Sequence, residues 1–224
     1  MNHPALILVG LSAVGKTTVM HLLCEKEPAF RFVRSVTTRP PRSAGDTEYL
    51  YLSEEAFSRA KESGELLESA VYGSYAYGTP RSEVERIRTE GGVPLMILNM
   101  EGNLSLRQGP LAGEVLSVYL YDDINPVEPR LYDREFSASP GIDGFLSFQR
   151  RKEENIRDCL SLPGRAGEFD VFVHNTTPEE AADLILSYWR EGVPAKAKEE
   201  KNEIAADLAA QATEKVNYTV ADRQ

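Results

Sequence analysis

Near its start the chain reads Val9-Gly10-Leu11-Ser12-Ala13-Val14-Gly15-Lys16-Thr17-Thr18, which matches the pattern G-x-x-x-x-G-K-[ST]. Before it runs Ala5-Leu6-Ile7-Leu8-Val9, a short apolar run that predicts a buried strand. After it, Val19, Met20, Leu22 and Leu23 recur at helical spacing. Strand, glycine loop and helix in that order make an anion cradle. The glycines let backbone N–H groups turn inward, and the helix N-terminus adds partial positive charge. Lys16 can then reach β/γ-phosphates, and the Thr17 hydroxyl can ligate Mg²⁺. Gly10, Leu11, Ser12, Ala13, Val14, Gly15, Lys16, Thr17 and Thr18 are therefore the expected contacts of ATP or GTP phosphates.

The 224 residues suffice for one domain with inserted subdomains. A net charge of −10 argues against a nucleic-acid partner, because no broad basic field would attract a phosphate backbone. A small polyanion needs only a few placed arginines. Two cysteines, Cys24 and Cys159, make no disulfide framework and suit cytoplasmic thiols. The first strand follows Met1-Asn2-His3 directly, leaving no room for a signal peptide, and no apolar run is long enough to span a membrane. Small-molecule partners, with no membrane and no nucleic acid, are expected.

Further along, Arg31 to Thr38 alternates and reads as one strand, followed by a proline-held loop from Arg39 to Asp46 and a strand over Glu48 to Leu52. Ser53 caps a helix to about Ser63, and Glu65 to Gly78 carries two short tyrosine-rich strands broken near Gly73. The main alternation then resumes: a helix over 80–90, a strand at 94–98, a short helix after Met100, and a strand at 115–120. Two charged helices, 125–134 and 145–160, flank a flexible Ser137–Gly144 segment. A last core strand covers 170–174, and Thr177-Pro178-Glu179-Glu180 opens a helix to about Trp189. The Ala-, Lys- and Glu-rich tail, 191–224, is expected to be a surface helix or disordered.

The pattern predicts an α/β, three-layer phosphate-loop fold with a parallel central sheet and ligand at the strands' carboxyl ends. The core would be 1–33, 81–121 and 159–190 of a single 1–190 domain. Segments 34–80, an inserted β-rich region, and 122–158, a helical lid, would flap over the sheet edge and exclude water from a phosphoryl group.

A second constellation lies in the insertion. Arg39 and Arg42 flank two prolines, ready for a phosphate that their planar forks meet bidentately. Tyr49, Glu68 and Tyr75-Ala76-Tyr77-Gly78-Thr79 follow. A tyrosine hydroxyl can bond phosphate, and a carboxylate can accept the two N–H donors on guanine's edge. In this order, Ser35-Val36-Thr37-Thr38-Arg39-Pro40-Pro41-Arg42 resembles the S-x-T-T-R-x-P-R segment of the guanylate kinase family. Gly64-Glu65-Leu66-Leu67-Glu68 is similar to its G-E-F-[IL]-E, Tyr77-Gly78-Thr79 to its Y-Y-G-[ST], and Asp170 to Thr176 to its late strand, with Asn175 in place.

The resemblance, from about Leu6 to Trp189, implies an inserted NMP-binding region, a lid, and ATP-dependent phosphorylation of GMP or dGMP. It implies that Ser35 and Glu68 read guanine. Arg39, Arg42, Tyr49 and Tyr77 would hold the GMP phosphate, with Gly78 and Thr79 nearby. Lys16, the loop and Asn175 would hold ATP. Arg134 and Arg151 (Arg150 competes for that position) would swing in from the lid, and Thr17 would hold Mg²⁺. Transfer would be in line without a covalent intermediate, resting on positioning and charge neutralisation by Lys16, Arg39, Arg134 and Arg151.

Departures stand at one strand end. The family's [DE]-[IL]-D-x-Q-G is here Ile97-Leu98-Asn99-Met100-Glu101-Gly102, so both acids are lost. Asn99 can bond a base or Mg²⁺-bound water but brings no charge. Glu101, or a lid acid such as Asp122 or Asp123, is open as a substitute. The Arg42–Tyr49 loop is about two residues short, Tyr75-Ala76 replaces Asn-Tyr, and Asp133-Arg134-Glu135 stands where Arg-Gly is usual. Two other readings stay open: a ribose 1,5-bisphosphate phosphokinase of the same fold, against which Glu68 speaks, and a non-catalytic interaction domain, against which Lys16 and Thr17 speak.

Overall fold

Strand β1 (Ala5–Gly10) runs through the middle of the molecule, and Leu6, Ile7 and Leu8 are all fully buried. Successive residues of a strand face opposite sides, so both faces of the sheet around β1 are covered. The computed structural model describes residues 5–41, 45–47, 49–109 and 111–221, with side chains to 217.

β1 belongs to a five-stranded sheet with β2 (Phe30–Phe32), β7 (Val93–Ile97), β8 (Val115–Tyr121) and β9 (Val171–His174), in the order β2-β7-β1-β8-β9. Every neighbouring pair is parallel. From β1 the chain passes through α1 (Lys16–Lys26) to the outer strand β2, returns to β7, and then crosses to β8 on the other flank. The order reverses beside β1, which opens a crevice at its carboxyl end.

Between β2 and β7 stands a second sheet, β4-β3-β6-β5, made of β3 (Val36–Thr37), β4 (Leu50–Tyr51), β5 (Leu66–Tyr72) and β6 (Tyr75–Pro80). Helix α2 (Glu54–Glu62) connects β4 to β5, with Ser53 Oγ accepting from the Ala56 amide at 3.2 Å. The segment Arg31–Thr38 is thus two strands in two sheets. Val33 N makes a bond into the core sheet, to Leu95 O at 2.9 Å, and from Ser35 the chain pairs with the insertion instead. Alternation reports which residues face inward but not against which sheet they pair. The predicted 48–52 strand shortens to Leu50–Tyr51 among the described residues.

Helices α3 (Arg81–Thr89) and α4 (Met100–Gln108) flank β7. Helices α5 (Ile124–Ala138) and α6 (Ile142–Arg165) form an antiparallel pair and outrun their predicted spans. The expected flexible 137–144 segment is a tight corner. Gly141 at its left-handed φ of 87° starts α6, and a Cβ at Gly144 would lie 1.9 Å from Ser139 O. Gly141 is required by its positive φ and Gly144 by the close approach.

Helix α7 (Pro178–Glu191) is capped by Thr177 Oγ1 and returns over α1. The tail forms α8 (Ala195–Ala221), and its Ala205, Leu208 and Ala212 are buried in the core cluster. Small residues let α8 lie close to α6 with Leu208 as its one buried large apolar side chain among the described residues, so composition alone reads it as surface. It also bonds to the start of α5. Gln211 Oε1 accepts from Ile124 N at 3.1 Å, and Lys215 Nζ donates to Glu128 at 2.8 Å. Both thiols are free, Cys159 fully buried. Among the described residues no helix is long and apolar enough to cross a membrane.

Candidate active site

The crevice at the end of β1 is a cavity of ≈ 350 Å³ between the phosphate loop, the inserted sheet and the lid. At one end, backbone geometry dictates the sequence. Gly10 has φ 149°, and a Cβ there would sit 2.1 Å from Leu120 O on the adjoining strand. Ala13 and Gly15 adopt left-handed φ values of 66° and 99°. At Gly15 a Cβ would come within 2.5 Å of Asn175 Nδ2.

Lys16 Nζ donates to Gly10 O (2.7 Å) and Leu11 O (2.8 Å), folded over the loop mouth. Two buried asparagines brace the loop from outside. Asn175 Nδ2 donates to Val14 O at 2.7 Å, and Asn155 on α6 accepts from Ser12 N at 2.8 Å and donates to Ser12 O at 3.2 Å. Gly10, Ser12, Ala13, Gly15, Lys16, Thr17 and Thr18 line the cavity, whereas Leu11 and Val14 are buried in the core. Asn175, expected at ATP, stands behind the loop rather than in the cavity wall.

The opposite wall comes from the inserted sheet. Thr37 Oγ1 donates to Ala76 O (2.9 Å) and accepts from Arg39 N (3.1 Å), while Thr38 Oγ1 accepts from Ala76 N (2.9 Å). The paired threonines thereby fix where Arg39 leaves the sheet. Arg39, 5% exposed, donates to Asp46 at 3.0 Å and lies over the Tyr49 ring at 5.2 Å and the Tyr51 ring at 5.7 Å. Tyr49 meets Tyr77 edge to face at 5.7 Å. Asp46 and Tyr51, which hold Arg39, were not singled out from sequence.

Glu68 is 6% exposed and accepts from Thr79 Oγ1 at 2.7 Å. Burial raises its pKa to about 7 against the opposing Thr79 bonds. Gly102 makes room for it, since a Cβ there would sit 2.9 Å from Glu68 Oε2. Ser35, Arg39, Tyr49, Glu68, Tyr77 and Asn99 all line the cavity. Thr79 is fully buried behind Glu68 and Gly78 is buried against Leu66. Arg42 lies outside the described residues.

Helices α5 and α6 bring Arg130, Arg134 and Arg151 to the same cavity. Arg134 donates to Glu135 Oε1 at 2.9 and 2.7 Å. Arg151, 9% exposed, pairs with Glu154 at 3.1 Å and covers the Tyr72 ring at 4.8 Å. Arg150 faces solvent and donates to Ser74 Oγ at 2.8 Å, so geometry separates the two neighbours. Arg130, four residues before Arg134 on one helix face, is a cavity arginine that sequence reasoning passed over; the i, i+4 spacing was the available signal.

At the end of β7 no acid enters the cavity. Ile97 and Asn99 line it, and Asn99 Oδ1 caps α4 by accepting from Gly102 N at 2.9 Å. The three acids left open as substitutes are engaged with other partners. Glu101 points outward to Arg165 at 2.8 Å; Asp122 pairs with Arg130; Asp123 accepts from Gln211 at 2.8 Å. The carboxylate that does line the cavity beside Glu68 is Asp158 on α6, missed because it lies seven residues beyond Arg151, outside any motif.

A phosphate loop at a parallel sheet's central strand, a side-chain wall on a second sheet and an arginine-bearing helical pair define a nucleoside monophosphate kinase of the phosphate-loop class. The family model for guanylate kinase matches residues 2–122. A guanylate kinase of Helicobacter pylori is 37% identical over 186 residues, covering 81% of this chain and 84% of that protein. One of Symbiobacterium thermophilum is 40% identical over 106 residues, 46% of this chain and half the length of that protein. The crystal structure of guanylate kinase from Anaplasma phagocytophilum superposes with a TM-score of 0.62 at 22% identity, covering 86% of this chain and 88% of that one, a likeness of fold. The chain belongs to the guanylate kinase family.

Proposed function

We propose that this protein transfers the γ-phosphoryl group of ATP to GMP, yielding ADP and GDP. The observation that carries this reading is the joining, in one cavity, of the Lys16 phosphate loop and the buried Glu68 carboxylate. Lys16 and the loop amides would hold the ATP phosphates. Glu68 and Ser35 would accept and orient the guanine edge, with Arg39, Tyr49 and Tyr77 on the acceptor phosphate. Arg130, Arg134 and Arg151 would neutralise charge as the phosphoryl group passes in line, so no covalent enzyme intermediate is needed.

Segments 34–80 and 122–158 would close over the cavity and exclude water. Among the described residues no cluster of three or more His, Cys, Asp or Glu could hold a metal, which suits a cation that arrives on nucleotide phosphates and keeps several waters. Thr17 has a hard oxygen at the cavity wall and fits Mg²⁺, which when bound would shield the β- and γ-oxygens. The two free thiols suit a cytoplasmic setting.

A coupled ADP-release assay against GMP, dGMP, AMP, UMP and ribose 1,5-bisphosphate tests the assignment. Turnover confined to the guanine nucleotides supports it. Equal turnover of AMP, or a preference for ribose 1,5-bisphosphate, overturns the guanine reading, and no turnover of any acceptor overturns catalysis.

A further inference from the structure

Asp158 has no task in the reaction so far. It projects from the same face of α6 as Arg151 and Asn155, seven and three residues earlier. Asn155 is bonded to both the amide and the carbonyl of Ser12, so this part of α6 is fastened to the phosphate loop. Asp158 is thereby held at the loop, where burial raises its carboxyl pKa to about 7, Glu101 and Glu154 push the same way, and the charge of Lys16 opposes them.

The other cation that acts on Asp158, Arg165, is already paired. Arg165 is paired with both oxygens of Glu168, at 2.9 Å each, and with Glu101 at 2.8 Å. Among the described residues the Asp158 carboxylate has no hydrogen-bond partner; the Ser161 hydroxyl bonds its backbone carbonyl instead.

Two independent features of the cavity match it. Tyr119 is 1% exposed, lines the cavity, and its hydroxyl finds no partner among the described residues. Asn99 Nδ2, also buried, finds none either, because only the oxygen of that amide is used to cap α4. Buried polar groups are ordinarily satisfied, and those that are not within the protein point to water or ligand. The floor of the cavity therefore offers one carboxyl group and two neutral donors where the strand end offers no carboxylate.

We propose that Asp158 is a positioning residue for phosphoryl transfer, supplying from the lid helix the carboxylate that Ile97 and Asn99 no longer supply from β7, and accepting hydrogen bonds from water on the nucleotide-borne Mg²⁺. This rests on the proposed kinase reaction. Its consequence is that the acid for the metal's hydration shell rides on α6, fastened to the loop through Asn155, instead of on the sheet.

The test is electron paramagnetic resonance of Mn²⁺ titrated into the full-length protein with ADP and no acceptor, which requires no turnover. Asp158→Asn should weaken Mn²⁺ binding roughly tenfold, the lower end for loss of an outer-shell partner, while ADP affinity in EDTA stays unchanged. With GMP as acceptor, kcat should fall and KM for GMP hold. Asp158→Glu, which keeps the charge, should recover most of the Mn²⁺ affinity, and Asn99→Asp added to Asp158→Asn should do so from the strand side. Unchanged Mn²⁺ affinity in Asp158→Asn overturns the proposal, as does an equal loss of metal-free ADP affinity or a failure of both rescues. If the wild type binds Mn²⁺·ADP but ignores GMP, the kinase assignment falls while the Asp158 measurement still stands.

Discussion

The two ends of the cavity are built on different principles. The phosphate loop is made of backbone, with its shape set by positive-φ residues and by strands so close that Gly10 admits no Cβ. Its one charged side chain, Lys16, rests on carbonyls of the same loop. The acceptor wall is made of side chains drawn from separate strands, each neutralised or bonded by another: Arg39 by Asp46, Glu68 by Thr79. A backbone cradle binds any polyphosphate, whereas a wall of paired side chains can be re-specified one residue at a time. Affinity for ATP and choice of acceptor are separable properties here.

The hardest test of that separation is Lys16→Met, which removes the phosphate loop's own charged side chain. By analogy with removal of other preorganised electrostatic donors, kcat should fall ~10²–10³-fold or more with every acceptor alike. Near-normal turnover would break the comparison at its donor end.

Glu68→Gln should act at the other end alone. An unpaired buried polar group costs ~1–3 kcal/mol, so KM for GMP should rise roughly 5- to 150-fold while KM for ATP stays put. An equal rise for both nucleotides would mean that the two ends are not separable. The same carboxylate, held at a pKa of about 7 by burial, makes a pH signature. Below pH 7 it gains a proton and loses its acceptor role, so KM for GMP should climb on acidification in the wild type and stay flat in the variant. Stability runs the opposite way. The folded state binds this proton more tightly than the unfolded chain, so the stabilisation is present below about pH 4.5 and is lost as pH rises through about 7. Glu68→Gln should therefore raise the denaturation midpoint at pH 8, by at most ~3 kcal/mol of stability, and not at pH 4.

Smaller effects sharpen the picture at the boundary between the two ends. Asn99→Ala removes the α4 cap and should cost about 1 kcal/mol in urea unfolding, whereas Asn99→Asp keeps the cap and should cost nothing measurable. Arg150→Ala, at a solvent-facing residue, should leave kcat within about twofold, while Arg151→Ala, at its buried neighbour, should lower it at least tenfold. Equal effects of the two would mean that the lid helix turns on closing.

What the sequence alone determined follows from locality. The phosphate loop, the central strand before it, the capping of α2 and α7, and the turn at Gly73 each depend on residues a few positions apart, where steric and capping rules act without knowledge of the rest. The resemblance in motif order was enough for the family. Tertiary structure decided what depends on distant neighbours. It divided Arg31–Thr38 between two sheets, because pairing partners lie more than ten residues away. It packed one stripe of the tail helix, Ala205, Leu208 and Ala212, into the core beside α6, because small residues at that spacing allow close approach. It moved Arg150 out and Arg151 in, since adjacent residues on a helix face about 100° apart and only the neighbouring sheet says which direction is inward. And it brought Asp158 to the phosphate loop across more than a hundred residues of chain, because a carboxylate's role is set by what surrounds it once folded, not by what precedes it in the sequence.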